Sequence, residues 1–116
     1  MARKQRTNFL DTVPERAAKH EWTEDEAGKI TVHMVHDGAY DRLAQRFFHR
    51  PRVSRIDLDE QGGFVWRQID GHRTVEEIAA LVKERFGEDA EPLYERLVQY
   101  LRILRNNGLV VFRKAP

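Results

Sequence analysis

Ile56 to Phe112 reads IDLDEQGGFVWRQIDGHRTVEEIAALVKERFGEDAEPLYERLVQYLRILRNNGLVVF, and its punctuation decides the fold. A strand ends at Leu58-Asp59. Gly62-Gly63 reads as a turn before a short helix that buries Phe64, Val65, Trp66 and Ile69. Asp70-Gly71 is a second turn. Thr74 and Glu77 stand at capping-box spacing: the hydroxyl can accept from the Glu77 amide while the carboxylate reaches back to the cap amide. The helix started there carries Val75, Ile78, Leu81, Val82 and Phe86 on its inner stripe, and Gly87 supplies the positive-φ residue that ends it. Pro92 suits the start of a further helix. That helix runs to about Asn106, and Asn107-Gly108 hands over to a last strand.

The last helix carries more apolar surface than one core face needs. At 100° per residue, Leu93, Leu97, Leu101 and Leu104 form a central stripe. Tyr94 and Val98 extend it on one flank, Tyr100 and Ile103 on the other. The arc spans roughly 220°, whereas a surface helix needs about 100°. Such a helix is either buried on two sides or keeps one flank for a partner.

Upstream, Val53-Ser54-Arg55-Ile56-Asp57-Leu58 alternates as a strand should, with Ser54, Ile56 and Leu58 on one side and Val53, Arg55 and Asp57 on the other. Residues 29–35 alternate likewise, with Ile30, Val32 and Met34 opposite Thr31, His33 and Val35. His20-Glu21-Trp22, across the acidic turn Glu24 to Gly28, completes a hairpin. Between these strands Tyr40, Leu43, Ala44, Phe47 and Phe48 recur at helical spacing, so residues 37–52 read as a helical insert. This insert either covers the core or docks on an enzyme or a second copy of the chain. Residues 1–18 are expected to form a partly disordered extension: MARKQRTN has nothing to bury, and Phe9-Leu10 and Val13-Pro14 are its first apolar anchors. Residues 19–116 then make one domain.

With 116 residues and no cysteine, the chain is long enough for one core and has neither disulfides nor cysteine-based zinc sites or nucleophiles. No apolar run is long enough to span a membrane, and the start, ARKQRTNFLDTV, has no long apolar centre, so a cytoplasmic, membrane-free protein is expected. Twenty basic groups against nineteen acidic ones give a net charge of +1. Residues 1–53 hold ten against eight and residues 54–116 ten against eleven, +2 and −1, so neither half is a polycation drawn to nucleic acid.

The chemistry-bearing residues do not assemble into a catalytic set. His33 and His36 lie three apart, which on a strand turns them to opposite faces, and His20, His49 and His72 sit on unrelated segments, so no metal site is expected. Glu76 and Glu77 diverge on a helix, where first-turn acids serve the cap and dipole. Asp57 and Asp59 share a strand face without a visible partner for acid–base work. Gly62-Gly63 is too short to cradle a phosphate. No cofactor and no enzymatic activity are expected. The physical rival is a winged-helix transcription regulator reading DNA through Arg96, Arg102, Arg105, Arg113 and Lys114, but Glu91 and Glu95 near the N-terminal end of the last helix would repel phosphates.

The run LDEQGGFVWRQIDG over 58–71, followed by RTVEEIAALVKERFG and ERLVQYLRILRNNGLV, resembles the PqqD family in the order and spacing of its motifs. That resemblance implies an α+β module like a winged helix-turn-helix, with a three-stranded antiparallel sheet packed on three helices. Here residues 37–52 would be an insert between the second and third strands. It implies a non-catalytic peptide chaperone, a recognition element that holds the leader of a ribosomally made precursor peptide for a radical SAM or other peptide-modifying enzyme. The leader would add as a strand to the third strand and lie against the last helix. On this sequence the docking edge would be Val53, Ser54, Arg55, Ile56 and Asp57, and the groove wall Tyr94, Val98, Leu101 and Arg105. Arg96, Tyr100 and Ile103 are the alternative flank. A second copy of the chain is the other partner considered.

Overall fold

The structure, a computed structural model, describes residues 9–35, 46 and 53–114. It is α+β: antiparallel strands β1 (Thr12–Arg16), β2 (Glu21–Glu24), β3 (Ile30–Val35), β4 (Val53–Asp57) and β5 (Val110–Lys114), and helices α1 (Glu60–Gln68), α2 (Val75–Phe86) and α3 (Leu93–Asn106), with a 3-10 turn at Gly87–Ala90. The strands form two sheets, one of β2-β3-β4 and one of β1-β5. The chain divides into two compact units, residues 18–59 and residues 1–17 with 60–116. The helical insert expected over 37–52 and the basic start, residues 1–8, lie outside the described residues apart from Arg46.

In the first unit, the turn between β2 and β3 is built on Asp25, whose Oδ1 accepts from the amides of Ala27 and Lys29 at 2.9 and 2.8 Å. The chain reverses on Gly28 at φ +85°, a conformation glycine takes without a Cβ penalty. Register then carries across three strands: Glu21, Trp22 and Thr23 face His33, Val32 and Thr31, which in turn face Arg55, Ile56 and Asp57. The predicted alternation holds, with Ile30, Val32 and Leu58 buried on one face. On the other face Thr31 is buried, while Arg55 and Asp57 are exposed.

In the second unit, α2 begins at the predicted capping box. The Glu77 amide donates to Thr74 Oγ1 at 3.1 Å and the Thr74 amide to Glu77 Oε1 at 2.9 Å. It ends at Gly87, at φ +58°, whose amide donates to the Lys83 carbonyl. The core of this unit takes Trp66, Ile69, Val75, Ile78 and Val82 together with the α3 stripe Leu93, Leu97, Leu101 and Leu104, each fully buried leucine being worth roughly 1.5–3 kcal/mol. Phe64 meets Phe86 edge to face at 5.4 Å.

Two sequence expectations change here. Gly62-Gly63 is not a turn but lies inside α1. Gly63 is buried and the Gly62 carbonyl accepts from the Tyr100 hydroxyl at 2.9 Å. The packing of α1 thus overrides a propensity cost of about 1 kcal/mol per glycine. The second change is β1. Residues 12–16, expected within a loose extension, pair with β5 in register from Thr12↔Lys114 to Arg16↔Val110, and Val13 is buried. Pro14 is tolerated because of the phase of this ladder. The Ala17 amide donates to the Leu109 carbonyl at 2.9 Å, so with two-residue alternation Glu15 and Val13 bond to β5 while Pro14 faces away, where no amide is needed. Its carbonyl accepts from Gly71 N–H at 3.0 Å.

Candidate functional site

Strand β4 ends the order β2-β3-β4, and no described strand lies along its outer side. Which of its backbone groups face outward follows from one bond. The Leu58 amide donates to the Ile30 carbonyl at 2.9 Å. In an antiparallel ladder, hydrogen-bonded and non-bonded pairs alternate, so Ile56↔Val32 and Ser54↔Met34 are bonded pairs. Val35↔Val53, His33↔Arg55 and Thr31↔Asp57 are not. The β2 side has the matching phase, since the Asp25 amide donates to the Lys29 carbonyl at 3.0 Å and the odd-numbered residues of β3 therefore turn to β2. The N–H and C=O groups of Val53, Arg55 and Asp57 thus point away from the sheet, the template that an added strand requires.

The side chains along this edge divide by face. Arg55 and Asp57 share the polar face, with Arg55 Nε 3.2 Å from Asp57 Oδ1 and the two side chains 71% and 43% exposed. The same Oδ1 accepts from Thr31 Oγ1 at 2.8 Å. These bonds, Thr31's first and Arg55's second, hold the Asp57 carboxyl below the ordinary aspartate range. Ser54 and Ile56, both half-buried, occupy the other face. The arrangement can bind and align a strand.

The α3 residues named with this edge belong to the other unit. Tyr94 is 52% exposed, Val98 is half-buried and Arg105 is exposed, so these three lie on one accessible flank. Leu101 does not: it is 0% exposed and belongs to the leucine stripe of the core, because its angular position falls between the flank and Leu97. On the opposite flank Ile103 is 51% exposed, while Tyr100 is half-buried and bonded to Gly62.

The arginines considered for DNA are engaged within the chain. Arg96 donates to the Asp89 carbonyl at 3.1 Å, and Arg102 and Arg105 lie over the rings of Phe9 and Phe112 at 5.8 and 5.7 Å. Arg113 pairs with Glu15 at 2.5 Å. Thr31, with its bond to Asp57, is a part of the edge that sequence reading missed, and its hydroxyl on the face opposite Ile30 and Val32 was the only signal for it. No helix among the described residues is long and apolar enough to cross a membrane.

A family model described as Coenzyme PQQ synthesis protein D (PqqD) matches residues 48–110, more than half of the 116 residues and a span that includes β4 and all three helices. No curated protein and no solved structure matches the chain.

Proposed function

Because the chain belongs to the PqqD family, whose members are non-catalytic accessory proteins, we propose that it is a peptide-binding adaptor that takes the leader of a ribosomally made precursor peptide as an added strand on β4. The adaptor then presents that peptide to a separate modifying enzyme, of the radical SAM type. The observation that supports this reading most is the phase of β4: Val53, Arg55 and Asp57 turn their amides and carbonyls outward on a terminal strand. Main-chain bonds of this kind give affinity without demanding a sequence, and side chains on alternate positions add selectivity. Of the α3 residues, Leu101 is buried in the core and is not proposed as a peptide contact. The proposed setting is the cytosol, in keeping with a chain that holds no cysteine.

The test uses peptides selected on the full chain from a display library of random decamers. Arg55→Ala removes the side chain alone, whereas Arg55→Pro also removes an outward amide. Binding by Arg55→Pro is expected to fall well below binding by Arg55→Ala, with weak dependence on salt. Equal binding by the two variants would refute strand addition at β4, and a steep fall of affinity with salt would favour a polyanion partner.

A further inference from the structure

We infer that β4 selects the peptide it binds by a three-residue pattern: an acidic side chain and, two positions away, a hydroxyl-bearing or basic one, with an apolar side chain between them. The inference rests on the reading of β4 as a docking edge and names what that edge discriminates. It follows from the cross-strand rows of the sheet. Paired residues on neighbouring strands place their side chains on the same face, so each row of β2-β3-β4 continues into whatever strand is added.

Three rows matter. Glu21, His33 and Arg55 form one, Trp22, Val32 and Ile56 the next, and Thr23, Thr31 and Asp57 the third. In the first, Arg55 spends only Nε on Asp57. Its two terminal nitrogens have no partner among the described residues, and a guanidinium in that state offers a fork suited to a carboxylate. An acidic side chain opposite Arg55 is attracted and a lysine or arginine repelled. In the third row Asp57 Oδ1 already accepts from Thr31 and Arg55. The carboxylate, ionised through the ordinary pH range, has a second oxygen to offer to a hydroxyl or ammonium donor. The middle row lies on the opposite face, where Val32 is buried and Trp22 and Ile56 are half-buried. An apolar side chain beside Ile56 extends that cover. Since alternate side chains share a face whichever way the added strand runs, reversing the peptide only reverses the order in which the pattern is read.

The peptides selected from the random decamer library on the full chain are sequenced and compared with those selected on Arg55→Glu and on the double variant Arg55→Glu, Asp57→Arg. The double variant keeps an ion pair within the strand and guards against a loss of folding, which an amide NMR spectrum checks. The wild-type pool is expected to show Asp or Glu next to an apolar residue with Ser, Thr or Lys beyond it, and the double variant to exchange the two charged preferences. For one selected peptide, replacing the acid by lysine should weaken binding about five- to ten-fold on the wild type and strengthen it on the double variant. A wild-type pool without charge preference, or a double variant that still selects the wild-type order, would overturn the inference. In either case, lost binding by Arg55→Pro would leave strand addition standing. Binding by Arg55→Pro equal to that of Arg55→Ala would instead show that strand addition itself fails.

Discussion

Moving a proline by one residue along β4 should separate folding from docking. Ser54 belongs to a bonded pair with Met34, and Arg55 to a non-bonded pair with His33. Ser54→Pro removes an amide from the ladder and leaves the Met34 carbonyl of β3 without its donor, which costs about 1–3 kcal/mol before any ring clash. Arg55→Pro removes an amide that no other described strand uses. It also removes the Arg55–Asp57 pair, but with the side chains 71% and 43% exposed solvent screening leaves that pair little weight in stability. The expected ordering is therefore Ser54→Pro destabilised by about 3 kcal/mol and Arg55→Pro by less than about 1 kcal/mol. Equilibrium urea unfolding of the two variants against wild type measures both. Amide hydrogen exchange on the wild type provides a mutation-free check, with Ser54, Ile56 and Leu58 protected and Arg55 and Asp57 exchanging fast. Equal destabilisation by the two prolines, or a protected Arg55 amide, would refute the assigned phase and the docking edge derived from it.

Tyr100→Phe deletes the hydroxyl that donates to the Gly62 carbonyl and should lower stability by about 1 kcal/mol, read as a lower urea midpoint, while leaving peptide binding unchanged. The Asp57 carboxyl, held low by Thr31 and Arg55, contributes stability that is fully present above the ordinary aspartate range and is lost as pH falls through the depressed folded value. Carboxylate NMR titration should show this midpoint rising towards the ordinary range in Thr31→Val, and an unmoved midpoint would contradict the assigned cause.

The legible parts of this fold are those with local periodicity or local hydrogen bonding. The Thr74–Glu77 box, the Gly87 terminus and the leucine stripe of α3 all have partners within a few turns, so spacing alone reveals them. The faces of β3 and β4 were legible for the same reason. β1 was not, because TVPER has a proline at its centre and its partner β5 lies nearly a hundred residues further along the chain. A proline ordinarily argues against a strand, and only the ladder phase shows that Pro14 occupies an outward position. Gly62-Gly63 misled in the opposite sense, since low helix propensity suggested a turn where tertiary packing keeps a helix. The edge residues of β4 were all named from the sequence, but which of them turn their amides outward was not. Alternation of side chains does not determine hydrogen-bond phase, which here follows from a single bond between Leu58 and Ile30.

An adaptor that presents a peptide to an enzyme has to hold it in one register, and an edge built only of backbone groups does not do so. A slip of one residue on β4 would turn the peptide's apolar side chain onto the Arg55 and Asp57 face. A slip of two restores the faces but moves the peptide by roughly 7 Å, and in one direction it sets the acidic residue opposite Asp57. Arg55 and Asp57 therefore penalise both errors, while their mutual neutralisation keeps the edge from repelling a peptide by net charge alone. The outer side of β5 lacks this balance. Its outward positions are Val110, Phe112 and Lys114, and with Arg113 paired to Glu15, the exposed charge there is Lys114 with Arg105 close above Phe112. Lysine on an open edge discourages pairing. In the proposed mode the outer edges of β4 and β5 thus differ in kind: that of β4 has paired charges that can set register, that of β5 a cationic end that deters added strands.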